Sequence, residues 1–151
     1  MWAVIADLMR HPALAGSGEV LTIENISGPL APGTTWDSKE RIKMAGGFTA
    51  RSEALQVEEP HVLSWRSFPP PIVKGSDDSV PDVTWSFELT PVEAGTRVTH
   101  SFRVVEPKVG AGRLKMFYLL TRRATAIKRG MERTLVNLKA AVEGSSRSSA
   151  A

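Results

Sequence analysis

The sequence predicts an α+β fold in which a curved antiparallel β-sheet wraps around one long C-terminal α-helix. Apolar residues alternate with period two in successive segments between residues 19 and 105, and the period changes to 3.6 from Leu114 onward. A helix with a long apolar stripe needs an apolar partner, and the inner face of the sheet is the one available. Because a twisted sheet around a helix leaves a concave space, we expect a ligand site between them.

The first predicted element is a short amphipathic helix over residues 2–9, which carries Trp2, Ile5 and Met9 at helical spacing and is stopped by Pro12. Two strands follow, over residues 19–26 and 35–44. The second strand alternates an apolar-rich face with a charged face, which is typical of an antiparallel strand with one side in water. The apolar-rich face comprises Trp36, Ser38, Glu40, Ile42 and Met44, and the charged face comprises Asp37, Lys39, Arg41 and Lys43.

The remaining strands are predicted to form a meander of hairpins. They span residues 48–59, 62–68, 82–90 and 96–105, with short turns inside each hairpin. The segment 69–81, rich in proline, glycine and aspartate, is a long loop of the kind that serves as a lid, as a binding loop or as a flexible connection. A second loop spans residues 106–113.

The last predicted element is one continuous amphipathic helix that begins at Leu114 and ends at Gly144. Residues 1–143 are therefore interpreted as a single domain, and residues 144–151 as a disordered polar tail. The apolar stripe comprises Met116, Leu120, Ala124, Ile127, Met131, Leu135, Leu138 and Val142, and the basic side comprises Lys115, Arg122, Arg129 and Arg133.

Composition excludes several classes of site. The chain of 151 residues has no cysteine, which rules out disulfides, thiolate zinc sites and cysteine nucleophiles. Its three histidines are scattered, no serine stands in a GxSxG motif, and the glycines at 110–112 lack a phosphate-loop context. We therefore expect no metal, no cofactor and no hydrolase triad.

Charge and hydropathy bound the partners. No apolar run approaches the roughly 18 residues that a membrane span needs, and residues 1–12 do not read as a signal peptide, so a cytoplasmic protein is expected. The net charge of +3 is too small to indicate nucleic acid. Nine Lys or Arg and one acid, Glu132, lie between Lys108 and Lys139. Such a basic side is either a solvated face or a surface for an anionic partner; we expect neither nucleic-acid binding nor stable membrane insertion.

Four motifs occur in an order that resembles a known family. They are WAVIADLMRHPAL at the first helix, VEEPHVLSW between two central strands, WSFELTPVEAGTRVTHSF in the last hairpin and GMERTLVNLKAAVE in the closing helix. Together they resemble the START-like (SRPBCC) superfamily and its polyketide cyclase/dehydrase family. The resemblance covers nearly the whole chain and implies the helix-grip fold of the birch pollen allergen. It also implies a hydrophobic ligand or lipid transport, without identifying the function, because this fold hosts many activities.

This sequence departs from the family pattern at its start. Met1 stands directly before the first helix, whereas members of the family begin with a strand. Either the reading frame begins late or the sheet lacks one strand, and a missing strand is expected to expose a sheet edge or to open the grip. A strand from another chain then has room to pair there, so a homodimer is one arrangement that the sequence allows.

Two titratable residues are candidate catalytic groups. His100 stands between Val98 and Phe102 on one face of a strand, and an imidazole suits acid–base work near neutral pH. Glu40 shares its face with apolar residues, so burial would raise the pKa of its carboxyl. In each case the alternative is a structural polar group: a histidine held by one hydrogen bond, or a glutamate that reaches water or an arginine.

Apolar and aromatic residues on the strands and the long helix are the candidate ligand-binding wall. Each of them is also expected as core, because the inner face of the sheet serves as both core and pocket wall. Tyr118 lies at the edge of the helical stripe, where exposure is the alternative. The predicted wall comprises Trp36, Met44, Phe48, Trp65, Trp85, Phe87, Phe102, Met116, Tyr118, Leu120 and Met131.

Two principal functions follow from the sequence. The first is binding of a small hydrophobic ligand, such as an aromatic polyketide, a sterol, a quinone or a lipid-like molecule. The second is an enzyme that cyclises, dehydrates or isomerises such a ligand with His100 or Glu40 moving protons. A third reading is a membrane-peripheral protein that uses the basic side of the helix.

Overall fold

The chain forms a six-stranded antiparallel sheet followed by two C-terminal helices, in a computed structural model that describes residues 1–43 and 45–148. The strands lie in the sheet in the order in which they occur along the chain, as expected for a meander. This confirms the predicted α+β helix-grip architecture. The strands are β1 Val20–Glu24, β2 Thr35–Ile42, β3 Gly46–Glu58, β4 Val62–Phe68, β5 Asp82–Val92 and β6 Gly95–Val105.

The N-terminal helical segment is divided at Asp7, where the sequence predicts one helix over residues 2–9. Asp7 has extended backbone geometry, and its side chain accepts a hydrogen bond from the Met9 backbone N–H at 3.1 Å. An aspartate in this role caps a new helical turn, so the chain changes direction there. The elements are helix α1 Trp2–Ala6, a 3₁₀ turn Leu8–Arg10 and helix α2 His11–Leu14; a further 3₁₀ turn, Asp77–Ser79, lies in the 69–81 loop.

The prediction of one continuous C-terminal helix is wrong. The helical region is divided into α3, Ala111–Leu120, and α4, Arg123–Ser148. Arg122 has a positive φ of 50°, and Thr121 Oγ1 donates a hydrogen bond to the Phe117 carbonyl at 2.6 Å. A left-handed residue ends a helix by turning the next peptide out of its axis. The apolar residues of α3 therefore do not continue the stripe of α4.

The C-terminal end of α4 also differs from the prediction. The helix continues through Gly144 to Ser148, because a glycine inside a helix costs only about 1 kcal/mol and does not have to end it. Residues 149–151 of the predicted tail, and Met44, lie outside the described residues.

The main core lies where the sheet meets the N-terminal helices and the second half of α4. Leu138 of α4 is 1 % exposed and packs with Ile5 of α1 and Leu63 of β4, both fully buried. A second cluster surrounds Trp36. The main cluster comprises Val4, Ile5, Leu14, Leu63, Phe87, Leu89 and Leu138, and the second comprises Leu8, Ile23, Trp36 and Ala54.

The segment after α2 holds α4 by direct backbone approach. The Gly16 N–H donates a hydrogen bond to Thr134 Oγ1 at 2.9 Å, and Asn137 Nδ2 donates one to the Leu14 carbonyl at 3.1 Å. A Cβ at Gly16 would stand 2.5 Å from the Gly130 carbonyl oxygen, and a Cβ at Gly130 would stand 3.2 Å from Ser17 Cβ. The two segments are thus as close as glycine permits.

The outer edge of β6 has no strand partner within residues 1–43 and 45–148. Sheet order runs from β1 at one edge to β6 at the other, so these are the two edge strands of the described sheet.

Replacing Gly16 by alanine is expected to destabilise the fold by about 1–3 kcal/mol, because the new methyl group overlaps the backbone of α4. Urea unfolding followed by far-UV circular dichroism measures the loss. Gly28→Ala is the matched control, since a Cβ there meets nothing within 4 Å. Equal stability of Gly16→Ala and Gly28→Ala would show that the helix does not rest on this segment.

Candidate functional site

A cavity of about 650 Å³ lies between the inner face of the sheet and the helices α3 and α4. The strands form one wall, the first half of α4 forms the opposite wall, and α3 with the 69–81 loop borders it. The lining is mainly apolar, with a few polar groups among the rings. This is the concave space that the sequence predicts.

Aromatic rings from three adjacent strands form the centre of the sheet wall. Trp65 of β4 lies opposite Trp85 of β5, which lies opposite Phe102 of β6. Because directly opposed residues share a face, the three rings form a row. The ring centroids of Trp65 and Trp85 are 6.5 Å apart and those of Trp85 and Phe102 are 4.6 Å apart. The row supplies a broad apolar surface.

One end of the cavity carries two imidazoles. His100 of β6 stacks on the Phe87 ring, with centroids 4.2 Å apart, and His11 of α2 lies 5.5 Å from the Trp65 ring. His11 Nε2 lies 2.8 Å from the Ile5 carbonyl oxygen. A carbonyl only accepts, so Nε2 is the protonated nitrogen and Nδ1 carries a lone pair. We call this region the histidine end.

Burial lowers the pKa of both imidazoles. The pKa of His100 falls from 6.5 to about 4, mainly through burial and also through the nearby His11, while a hydrogen bond with the Met131 backbone acts in the opposite direction. The pKa of His11 is also lowered, again mainly by burial. His100 Nδ1 is buried and has no hydrogen-bond partner among the described residues. At neutral pH His100 is therefore an uncharged base.

The other end of the cavity carries carboxylates and an arginine, and we call it the glutamate end. Ser38 Oγ donates a hydrogen bond to Glu40 Oε1 at 2.7 Å. Arg123, the first residue of α4, pairs through both terminal nitrogens with the Glu19 carboxylate, with Nη2 at 2.7 Å from Oε2. Tyr118 of α3 lines the same end of the cavity, and burial raises the pKa of its phenol.

Burial raises the pKa of the Glu40 carboxyl above its ordinary value. The hydrogen bond from Ser38 and the charge of Arg123 lower this pKa, whereas the Glu19 carboxylate raises it. Arg123 is already paired with Glu19, so Glu40 is left without a cation of its own at this end. The protonated form of Glu40 is thereby favoured, as is typical of a carboxyl group that donates a proton or a hydrogen bond.

The histidine end and the glutamate end lie at opposite corners of the sheet. Glu40 is on β2 and His100 on β6, which are four strands apart, or about 19 Å at 4.8 Å per strand. Following the strand pairing from Glu40 to His100 also displaces the two residues along the strand direction, by roughly 26 Å if the sheet were flat. Curvature shortens both distances, yet the two groups have no partner in common.

Most residues of the predicted wall line the cavity, and so do both candidate catalytic residues. Met116 and Leu120 do not: they are 54 % and 71 % exposed on the outer side of α3. The break at Arg122 turns α3 away from the stripe of α4, which corrects their expected placement. Met44 lies outside the described residues. The residues that do line the cavity are Trp36, Glu40, Phe48, Trp65, Trp85, Phe87, His100, Phe102, Tyr118 and Met131.

Sequence reasoning missed His11, Glu19 and Arg123. His11 lies in the first helical motif, next to Pro12, and the sequence pattern there indicates a helix end and not a cavity residue. Glu19 and Arg123 are 104 residues apart, so their pairing has no local signature. Leu114 and Phe117 were missed as wall residues because the break between α3 and α4 changes which face of α3 points inward.

Comparisons with solved structures find the same fold in several proteins. The di-domain ARO/CYC StfQ from the steffimycin biosynthetic pathway matches with a TM-score of 0.63 at 15 % identity, over 96 % of this chain and 46 % of that one. A protein from Rhodobacter sphaeroides matches with a TM-score of 0.59 at 19 % identity, over 95 % and 82 % of the two chains. A protein from Mycobacterium smegmatis matches with a TM-score of 0.57 at 18 % identity, over 93 % and 82 %.

These identities establish the fold alone. No curated protein matches the chain. A family model, described as polyketide cyclase / dehydrase and lipid transport, matches residues 1–143. Because the match spans nearly the whole sequence and agrees with the sheet, the helices and the hollow between them, this chain belongs to the polyketide cyclase/dehydrase and lipid transport family.

Proposed function

We propose that this protein binds a small hydrophobic molecule in the cavity between the sheet and α4. The observation that carries the proposal is the cavity itself, which at about 650 Å³ falls within the usual range for ligand sites and is lined mainly by aromatic and aliphatic side chains. A polyketide, a sterol, a quinone or a lipid-like molecule has the apolar surface that such a lining accepts.

Apolar burial supplies the driving force for this binding. A ligand that buries about 300 Å² of apolar surface gains roughly 7 kcal/mol before the costs of association are subtracted. The row formed by Trp65, Trp85 and Phe102 offers flat contact area of the kind that suits fused or planar rings. Affinity therefore depends chiefly on how well the ligand fills the hollow.

The two polar ends are the proposed determinants of specificity. His100 Nδ1 is buried without a hydrogen-bond partner and suits a ligand hydroxyl, and the Glu40 carboxyl is a second hydrogen-bonding group, at the other end of the cavity. The middle of the wall offers less, because Ser52 and Ser67 hydrogen-bond each other at 2.7 Å. We therefore expect a ligand with an apolar body and oxygen atoms at its extremities.

An enzyme is the second candidate function, and the opposite pKa shifts at the two ends favour it. The lowered pKa of His100 leaves its imidazole a lone pair that can accept a proton, and the raised pKa of the Glu40 carboxyl is the direction expected of a proton donor. Cyclisation, dehydration and isomerisation of a polyketide all need such transfers. Because the two groups are far apart, each would act on a different part of an extended substrate or in a different step.

Filling the cavity tests the binding proposal. Ala50→Phe places a ring in the hollow, since Ala50 is 2 % exposed and lines the cavity, and it is expected to weaken binding of the apolar fluorophore 1-anilinonaphthalene-8-sulfonate by about tenfold or more. Quenching of the cavity tryptophans measures the affinity. Thr49→Phe, its exposed neighbour on the outer face of β3, is the matched control. Equal affinity of the two variants would contradict a ligand site in this hollow.

Replacing His100 by glutamine tests whether the imidazole is buried and neutral. Between pH 6.5 and about 4 the unfolded chain protonates this ring and the native protein does not, so its contribution to stability is complete above pH 6.5 and is lost as the pH falls towards 4. A difference of this size corresponds to at most roughly 3 kcal/mol. The free energy of unfolding should therefore fall less between pH 7 and pH 4 in His100→Gln than in the wild type.

The control for this measurement is His61→Gln, which changes an exposed histidine in the β3–β4 turn. It is expected to keep the wild-type dependence on pH. If His100→Gln showed the same slope as both other proteins, the ring would be solvated and unsuited to act as a buried base. Native mass spectrometry of protein purified from its own host identifies a ligand that co-purifies. Turnover of that ligand is then compared between the wild type, His100→Gln and Glu40→Gln.

A further inference from the structure

We propose that the outer face of α3 docks this protein reversibly on an anionic membrane surface, where the cavity exchanges its apolar ligand. The docking is inferred from α3 itself, and the exchange of ligand rests on the proposed function. The occupant of this face is the interfacial layer of a lipid bilayer with acidic headgroups.

The outer face of α3 is strongly apolar and exposed. Leu119 is 73 % exposed, Leu120 is 71 % exposed and Met116 is 54 % exposed. No residue of α3 is buried, so this helix has no packed core side. Large apolar side chains grouped at the surface indicate a contact surface rather than chance exposure.

Basic residues flank this apolar face at the two ends of α3. Arg113, which also borders the cavity, and Arg122 are both exposed, and neither is within salt-bridge distance of a carboxylate in the described part of the chain. Lys115, on the same helix, is 67 % exposed and approaches Glu106 at 3.1 Å. Apolar side chains with a cationic border fit the interface of an anionic bilayer, which attracts the charges and accepts the side chains.

The same helix forms part of the cavity wall. Leu114, Phe117 and Tyr118 line the cavity, while Met116, Leu119 and Leu120 point away from it. Gly110, just before α3, has a φ of 84°, and Arg122, two residues after it, has a φ of 50°. The backbone therefore changes direction at both ends of the helix. A bilayer that holds the outer face of α3 therefore lies one helix diameter from the hollow.

A bilayer fits this face better than a second copy of the chain. Two copies that met through α3 would bring Arg113 and Arg122 of one copy against the same charges of the other, which is unfavourable. The helix has ten residues and is about 15 Å long, so it lies in the interface rather than across the membrane. No helix in the described ranges has the length and hydropathy of a membrane span.

Flotation with lipid vesicles tests the proposal. Wild-type protein is mixed with vesicles of phosphatidylcholine alone, or of phosphatidylcholine with phosphatidylglycerol. We expect flotation with the second kind and its decrease when salt is added, because salt screens the basic border. Leu119→Asp and Leu120→Asp are each expected to weaken this binding by about tenfold or more. Val136→Asp, a change at a residue 67 % exposed on α4, is the matched control and is expected to float like the wild type.

The proposal is overturned if wild-type protein does not bind anionic vesicles, or if Leu119→Asp and Leu120→Asp float as well as the wild type. It is also overturned if Val136→Asp loses as much vesicle binding as these two variants do. A concentration-dependent dimer that Leu119→Asp dissociates, with no vesicle binding, would overturn it as well. Binding of 1-anilinonaphthalene-8-sulfonate by the same variants gives a separate readout. Leu119 lies outside the cavity, so Leu119→Asp should keep this affinity while it loses vesicles. Flotation without fluorophore binding in the wild type would contradict the proposed function and leave the docking standing.

Discussion

The position of α4 depends on the close contact of Gly16 and Ser17 with Gly130, where a Cβ at Gly16 would overlap the helix backbone and a Cβ at Gly130 would stand 3.2 Å from Ser17 Cβ. This contact and the packing of Leu138 hold the helix along its length. Ile127 and Met131, on the same half of α4 as Gly130, line the hollow on the side opposite the sheet. The aromatic rings of the sheet therefore border a hollow at this place instead of packing closely against the helix.

The electrostatics of the hollow follow from the burial of its titratable groups. Burial favours the uncharged form of a titratable group, and here it acts in opposite directions on the two chemistries: it lowers the pKa of His100 and raises that of Glu40. Glu19 and Arg123 pair with each other through a bidentate contact. Both pKa shifts are in the direction of the uncharged form, which costs less to desolvate than an ion does.

The sheet was predictable from the sequence because its alternation of polar and apolar residues is local. The alternation in β2 separates Trp36 and Glu40 from the charged residues of the strand, but it left open which face points inward; the burial of Trp36 in the structure decides this. The break between α3 and α4 was not predictable, because neither Thr121 nor Arg122 is a residue that usually ends a helix, and the positive φ of Arg122 has no signal in the local sequence. That one backbone reversal moved Met116 and Leu120 from the expected wall to the surface. The pairing of Glu19 with Arg123 and the approach of His11 to Trp65 depend on the folded topology, which local pattern does not encode.

The histidine end and the glutamate end lie diagonally across the sheet, so they form two separate parts of the hollow. Sites that share no partner and lie more than about 10 Å apart contribute nearly additively to free energy. Under the proposed function, substitutions around Glu40 should therefore change the preference for one end of a ligand and leave the preference around His100 unchanged. The aromatic row between the two ends would then select only for the length and flatness of the ligand.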